Sequence, residues 1–193
     1  MEEQKLIQKI LSGDTDAYAQ IVQSHQAKVL GLCTSLLGNV TQAEDAAQEI
    51  FIKAYQSLRA FRGDAAFSTW LYRISANHCK DLLRKRSREK TESLDVLMEE
   101  SGDAFQKLVE PSSDPGAAFE AADLIEKFLS SLSPDERIIL TLREVQGLSY
   151  QEMARALGCS LDAVKSRLRR AREALEKKTR HFLAGKTSKY QEN

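Results

Sequence analysis

Residues 149–172 read SYQEMARALGCSLDAVKSRLRRAR, and the rest of the chain takes its meaning from this stretch. Ser149 and Glu152 have the S-x-x-E spacing of a capping box, so a helix is predicted to begin at Tyr150 with its first free amides satisfied. Gly158 ends that helix, because a chain leaving a helix sharply needs a left-handed residue, which glycine supplies without strain. Ser160 then caps a second helix. There Leu161, Val164, Leu168 and Leu175 keep helical spacing, a stripe predicted to pack on Met153, Ala154 and Leu157 of the first. Lys165, Ser166, Arg167, Arg169, Arg170 and Arg172 occupy the opposite face. A capped helix, a glycine turn and a second helix with long cationic arms form a helix-turn-helix suited to the DNA major groove. An isolated basic helix is more often simply solvated; the helix and turn in front of this one reverse those odds.

With 193 residues the chain suits two small domains, each large enough to bury a modest core. It contains neither an apolar run long enough to span a bilayer nor a charged-then-apolar leader, so a cytoplasmic protein is expected. Cys33, Cys79 and Cys159 are odd in number and far apart, which argues for small buried hydrophobes over a disulfide framework. His78, Cys79 and Asp81 have no second cluster at ligand spacing, so no metal is expected, and no cofactor.

Net charge is zero, but the charges are segregated. Residues 1–58 hold 4 Lys/Arg and 7 Asp/Glu, residues 59–90 hold 9 and 3, residues 91–136 hold 2 and 12, and residues 137–193 hold 13 and 6. Two cationic blocks separated by an acidic one point to two places where a polyanion is held.

Towards the N-terminus, EEQKLIQKILSG is predicted as a short amphipathic helix stopped by Gly13. A second helix runs from an Asp14 cap to Leu37, and Gly38 and Asn39 end it. Thr41 and Glu44 read as another capping box, opening a helix that turns Ala46, Ile50, Ala54 and Leu58 towards a core. Its outer face carries Asp45, Gln48, Glu49, Ile52 and Lys53, where an apolar residue among charges can dock a partner as well as meet water. A Gly63-Asp64 turn then leads to a helix over about 68–88. Phe61, Phe67, Trp70 and Tyr72 interleave there with Arg59, Arg62 and Arg73, the ingredients of single-strand recognition, although Trp70 also suits a core. Residues 89–118 carry Pro111, Pro115, serines and acids, and read as a linker. Such a linker reaches about 100 Å at roughly 3.3 Å per residue, against about 30 Å for a free coil. Ser133-Pro134-Asp135-Glu136 is a further helix start, running to Gly147 just before the helix-turn-helix.

With both cationic blocks in view, the chain resembles an extracytoplasmic-function sigma factor, group IV of the sigma-70 family, and most of all the sigma-E type. DAAQEIFIKAYQSLRAFRGDAAFSTWLYRISANHCKDLLR is similar to the family's region 2. LSPDERIILTLREVQGLSYQEMARALGCSLDAVKSRLRRAREAL is similar to its region 4, and the two in order with a variable linker are highly specific. The resemblance implies an all-α fold of two small helical domains: residues 1–88 as region 2, 89–118 as a flexible acidic linker, 119–183 as region 4 and 184–193 as a basic, fraying tail. It implies no catalysis, but binding to core RNA polymerase, through the beta-prime clamp and the beta flap, and to promoter DNA. A membrane-tethered anti-sigma factor and an envelope or other stress response are also implied, with no small-molecule substrate.

Residue by residue, the resemblance assigns Asp45, Gln48, Glu49, Phe51, Ile52 and Lys53 to polymerase. It assigns Phe61, Arg62, Phe67, Trp70, Tyr72, Arg73 and Asn77 to the minus-10 element, where a base is isolated from its stack. Asn77 offers a donor and an acceptor to a base edge. To the minus-35 element it assigns Ser149, Tyr150, Ser160, Lys165, Ser166, Arg167, Arg169 and Arg170, with Arg167 and Arg170 on phosphates. Arg169 stands where the sigma-E type has an aromatic residue, which points to a guanine. The housekeeping sigma factors' extra domains are absent, so inhibition is expected to come from another protein. A regulator binding duplex DNA through the second domain alone is the next reading, disfavoured by the aromatic-arginine block. A nuclease is more distant, since His25, His78, His181 and the scattered acids form no catalytic constellation.

Overall fold

Local polar devices close the turns between helices and set the order of the elements. The structure, a computed structural model, describes residues 2–92, 128–129 and 131–189, with residues 2, 89–92 and 181–189 described by backbone alone. Most of the expected linker, residues 93–118, lies outside the described residues. Helices account for the regular structure, and there is no strand among the described residues.

Helix α1 (Glu2–Leu11) buries Ile7 and Ile10, and His25 of α2 (Asp16–Leu37) lies 2.7 Å from its Glu3 carboxylate. Asp14 does act at the start of α2, accepting from the Ala17 amide at 3.2 Å, although the helix itself begins two residues later. Gly38 closes α2 in the left-handed region (φ 68°), and α3 (Val40–Ser57) starts at once. Its cap corrects the sequence reading. Asn39, not Thr41, supplies the side-chain oxygen, accepting from the Gln42 amide at 2.9 Å. Once the glycine has reversed the chain, the next residue is already extended and is the first able to cap. A short 3-10 turn, Leu58–Ala60, and a loop through Gly63 (φ 76°) lead to α4, Phe67–Glu92, which runs four residues past the expected end at Arg88.

The second unit follows the same grammar. Ser133 and Glu136 form the expected reciprocal capping box for α5 (Pro134–Leu140). Instead of continuing as an α-helix, the chain widens into a π-turn over Thr141–Val145, with Gln146 N–H donating to the Thr141 carbonyl at 3.0 Å. Gly147 (φ 68°) turns it, and Ser149 and Glu152 box the start of α6 (Tyr150–Leu157). Gly158 (φ 62°) and Ser160, whose Oγ accepts from the Ala163 amide at 3.2 Å, lead into α7 (Leu161–Lys189). The helix continues well into the segment expected to fray.

Helices α1–α4 enclose Ile21, Leu32, Leu36, Ile50, Leu58, Phe67 and Leu71, while α5–α7 enclose Ile139, Leu142, Met153, Val164 and Leu168. Leu161 is a correction: at the first turn of α7 it is 41% exposed, whereas Leu157 packs half-buried against the core as expected and Ala156 and Ala171 are buried beside it. The two units also touch each other. Helix α4 packs against α5 and α6, and α2 against the π-turn. Tyr72 Oη donates to Gln146 Oε1 at 3.2 Å, Lys80 pairs with Asp135, and the Arg137 guanidinium, 2% exposed, donates to the Ser35 carbonyl at 3.4 Å.

The cap assignment is directly measurable: Asn39→Ala is expected to cost about 1 kcal/mol in urea unfolding. Thr41→Ala, at an exposed position beyond the cap, is expected to change stability by less than about 0.5 kcal/mol.

Candidate nucleic-acid interface

Three surfaces carry the residues singled out in the sequence. The first is the outer face of α3. Asp45, Gln48, Glu49 and Lys53 are exposed, with Ile52 at 56% and, one turn on, Tyr55 at 42%. Phe51 does not belong to this face. It is 8% exposed, because Ala47, Ile50, Phe51 and Ala54 form the stripe that α3 turns inward, so its ring supports the surface from below. Tyr55 was missed, although its three-residue step from Ile52 was a readable signal.

This face is tied to α4. Lys53 Nζ donates to His78 Nδ1 at 2.6 Å, and His78 Nε2 lies 3.5 Å from Glu49. Burial holds the His78 imidazole below its ordinary range, the Lys53 ammonium adds to that effect, and Glu49 and Asp81 oppose it. The His78 ring thereby ties Lys53 and Glu49 of the α3 face to α4, next to Asn77.

The second surface is a cavity of about 530 Å³ beside the 61–66 loop. Phe61, Arg62, Thr69, Trp70 and Arg73 line it, joined by Arg155 from α6. Phe61 and Trp70 are half-buried, their ring centroids 5.4 Å apart. Phe67 is a correction to the expected base-contacting set: it is 1% exposed, packed under Phe61 and Trp70 at 5.4 and 5.3 Å and against His25 at 5.4 Å. A ring enclosed on all sides stiffens its neighbours but cannot stack on a base. Asn77 is exposed, and although it does not line the cavity, it shares a face of α4 with Trp70 seven residues earlier. Tyr72 faces away from the loop towards Gln146, and burial raises its phenol.

The third surface is α7. Lys165, Ser166, Arg167, Arg169 and Arg170 are all exposed. Several cations nearby hold acids: Arg169 pairs with Glu173 at 2.7 Å, Arg172 with Glu144 at 2.7 Å and Lys165 with Asp162 at 3.7 Å. Arg167 and Arg170 line a cleft of about 370 Å³ with Lys80 and Asp135, on the side facing α4. Ser149 and Ser160 spend their hydroxyls on helix caps, and the Tyr150 ring lies under the Arg143 guanidinium at 5.1 Å.

Cys33 and Cys79, distant in sequence, meet in the core with their sulfurs 3.8 Å apart, while Cys159 is half-buried. No cluster of metal-binding side chains occurs among the described residues, and no described helix is long and apolar enough to cross a membrane.

Residues 21–89 match the family described as sigma-70 region 2, and residues 122–175 the one described as sigma-70, region 4. The chain is 39% identical over 180 residues to the RNA polymerase sigma-H factor of Pseudomonas aeruginosa, covering 91% of this chain and 93% of that one. It is 35% identical over 187 residues to the ECF RNA polymerase sigma-E factor of Escherichia coli, covering 95% and 97%. This chain is an extracytoplasmic-function sigma factor. Among solved structures, the sigma factor resembles RpoE in complex with the anti-sigma factor NepR from Bartonella quintana, with a TM-score of 0.58 and 27% identity over 83% of this chain and 94% of that one. Its region 2 match thus spans α2–α4, with the first two surfaces, and its region 4 match spans α5, α6 and the basic part of α7. Sigma factors are transcription initiation factors, and the chemistry of transcription belongs to polymerase.

His78 gives this sigma factor a pH signature. Its folded value lies below the unfolded value of about 6.5, so below that pH the unfolded chain takes up a proton the folded chain resists. The stabilisation is complete above about pH 6.5 and is lost as pH falls towards the folded value. Urea midpoints at about pH 7.5 and about pH 5.5 are expected to differ less in His78→Gln than in the unsubstituted protein.

Proposed function

We propose that this sigma factor grips core RNA polymerase with the outer face of α3 and holds a promoter at two points. Asp45, Gln48, Glu49, Ile52 and Lys53 meet the beta-prime clamp, and region 4 meets the beta flap. Phe61, Arg62, Trp70, Arg73 and Asn77 take the opened minus-10 strand, with Phe67 as the rigid floor. The observation that carries this reading is the cavity beside the 61–66 loop, where half-buried Phe61 and Trp70 stand next to Arg62 and Arg73. Rings offer a stacking surface to any base, and guanidinium groups hold its phosphates, which is what a flipped nucleotide requires.

Helix α7 reads the minus-35 element in the major groove. Lys165, Ser166 and Arg169 reach base edges while Arg167 and Arg170 hold phosphates. Ser149 and Tyr150 at the start of α6, and Ser160 at the turn, flank the DNA backbone. For Arg169 to reach a guanine it must leave Glu173, an exposed pair worth about 0–1 kcal/mol, which a bidentate base contact outweighs. An anti-sigma factor, tethered to the membrane, holds the protein inactive in the cytoplasm until a stress to the envelope releases it. The solved complex of a similar sigma factor with its anti-sigma factor supports that part of the reading.

Run-off transcription from a promoter library tests it. Core polymerase with this protein is expected to initiate at specific promoters, and Asp45→Arg to abolish that by repelling the polymerase contact. Arg169→Ala is expected to cost about 1–3 kcal/mol and to relax preference at one minus-35 base. Uniform weakening across promoters would assign Arg169 to a phosphate, and specific duplex binding without polymerase would favour a simple regulator.

A further inference from the structure

We propose that His78 is a positioning residue for the polymerase contact: its ring draws the Lys53 ammonium away from Glu49 and so leaves the Glu49 carboxylate free for polymerase. The proposal rests on the reading of the outer α3 face as the polymerase surface. Its starting point is a comparison of ion pairs with the same spacing. On α7, Arg169 closes on Glu173 four residues later at 2.7 Å, and Glu176 pairs closely with Arg180. On α3, Glu49 and Lys53 have that spacing with the acid first, the more favourable order, yet they stand 3.9 Å apart. The ammonium is held elsewhere, since Lys53 Nζ donates to His78 Nδ1 at 2.6 Å.

Burial lets His78 act as a fixed anchor. The residue is 6% exposed, so its ring cannot follow the lysine into solvent. With Nδ1 accepting, the neutral ring carries its proton on Nε2. That atom has no hydrogen-bond partner among the described residues, and Glu49 lies 3.5 Å from it, too far to be held firmly. Glu49 is thus attracted by the ring and by Lys53 without being closed on by either, and its side chain stays 59% exposed. The ring also lines a cavity of about 500 Å³ with Asp45 and Glu49 of α3, Lys85 and Arg86 of α4, and Leu37 of α2. Arg86 spends a donor on the Leu37 carbonyl at 3.1 Å. Within that setting Lys53, Glu49 and Asp81 act on the titration of the ring, and burial together with Lys53 keeps it neutral below the ordinary histidine range. Protonation removes the acceptor that holds Lys53 and strengthens the pull of Nε2–H on Glu49, so acid undoes the arrangement from both sides.

Affinity for core polymerase, measured by competition against a fluorescently labelled copy of this protein, tests the assignment. His78→Leu fills the space without an acceptor and is expected to weaken binding about tenfold, roughly the loss of one hydrogen bond to a charged group. His78→Asn, which restores an acceptor near the Nδ1 position, is expected to recover most of that loss. Between about pH 7.5 and about pH 5.5, the unsubstituted protein is expected to lose affinity by a larger factor than His78→Asn, which has no ring to protonate. In Lys53→Met there is no ammonium to hold, so adding His78→Leu to it is expected to cost nothing further, whereas a merely structural role makes the two losses add. Unchanged affinity for His78→Leu overturns the proposal, as do additive losses in the double variant. An equal pH response of the unsubstituted protein and His78→Asn overturns it too, and decides alone if His78→Leu does not fold. Asp45→Arg separates this from the reading beneath it. If Asp45→Arg abolishes core binding and His78→Leu leaves it unchanged, the positioning role fails and the polymerase face stands; if Asp45→Arg binds core normally, the face itself is misassigned and the positioning role falls with it.

Discussion

Helix α4 must satisfy several neighbours with one cylinder of side chains, and most of what this molecule does follows from how they are divided. Phe67, Leu71 and Cys79 close the core of region 2, and His78 reaches back to the α3 face through Lys53 and Glu49. Trp70 and Arg73 line the cavity beside the loop, and Asn77 is exposed on the same face as Trp70. Tyr72, Lys80 and Arg84 are left for region 4. A helix offers each neighbour a stripe about 100° wide, so where α4 serves a core, the α3 face, the 61–66 loop and the second unit, over residues 67–80, only Arg73 and Asn77 are exposed. Polar residues such as Thr69 and Ser75 are buried as a result, with Ser75 returning its hydroxyl to the Leu71 carbonyl at 2.9 Å.

What could be read from the sequence was local. The capping boxes at Ser133 and Ser149 and the turns at Gly63 and Gly158 each depend on a few consecutive residues, and all appear where expected. The failure at Thr41 was also local: two residues competed to cap one helix, and Gly38 decided between them by ending α2 one residue before Asn39. The other errors concern which way a side chain faces when a helix has neighbours on more than one side. Phe51 and Phe67 turn inward, and Leu161, in the first turn of its helix, stands largely outside the seam. Contacts between residues far apart in sequence, Cys33 with Cys79 or Trp70 with Arg155 across a shared cavity, leave no trace in spacing or composition.

Electrostatics reconciles a neutral chain with a nucleic-acid partner. Several cations of α7 are answered by acids on the same helix or a neighbouring turn, Arg169 by Glu173 and Arg172 by Glu144. These pairs are exposed, each worth at most about 1 kcal/mol and screened over about 8–10 Å at physiological salt. Phosphates arriving along the helix can replace such acids at little cost while displacing their own counterions.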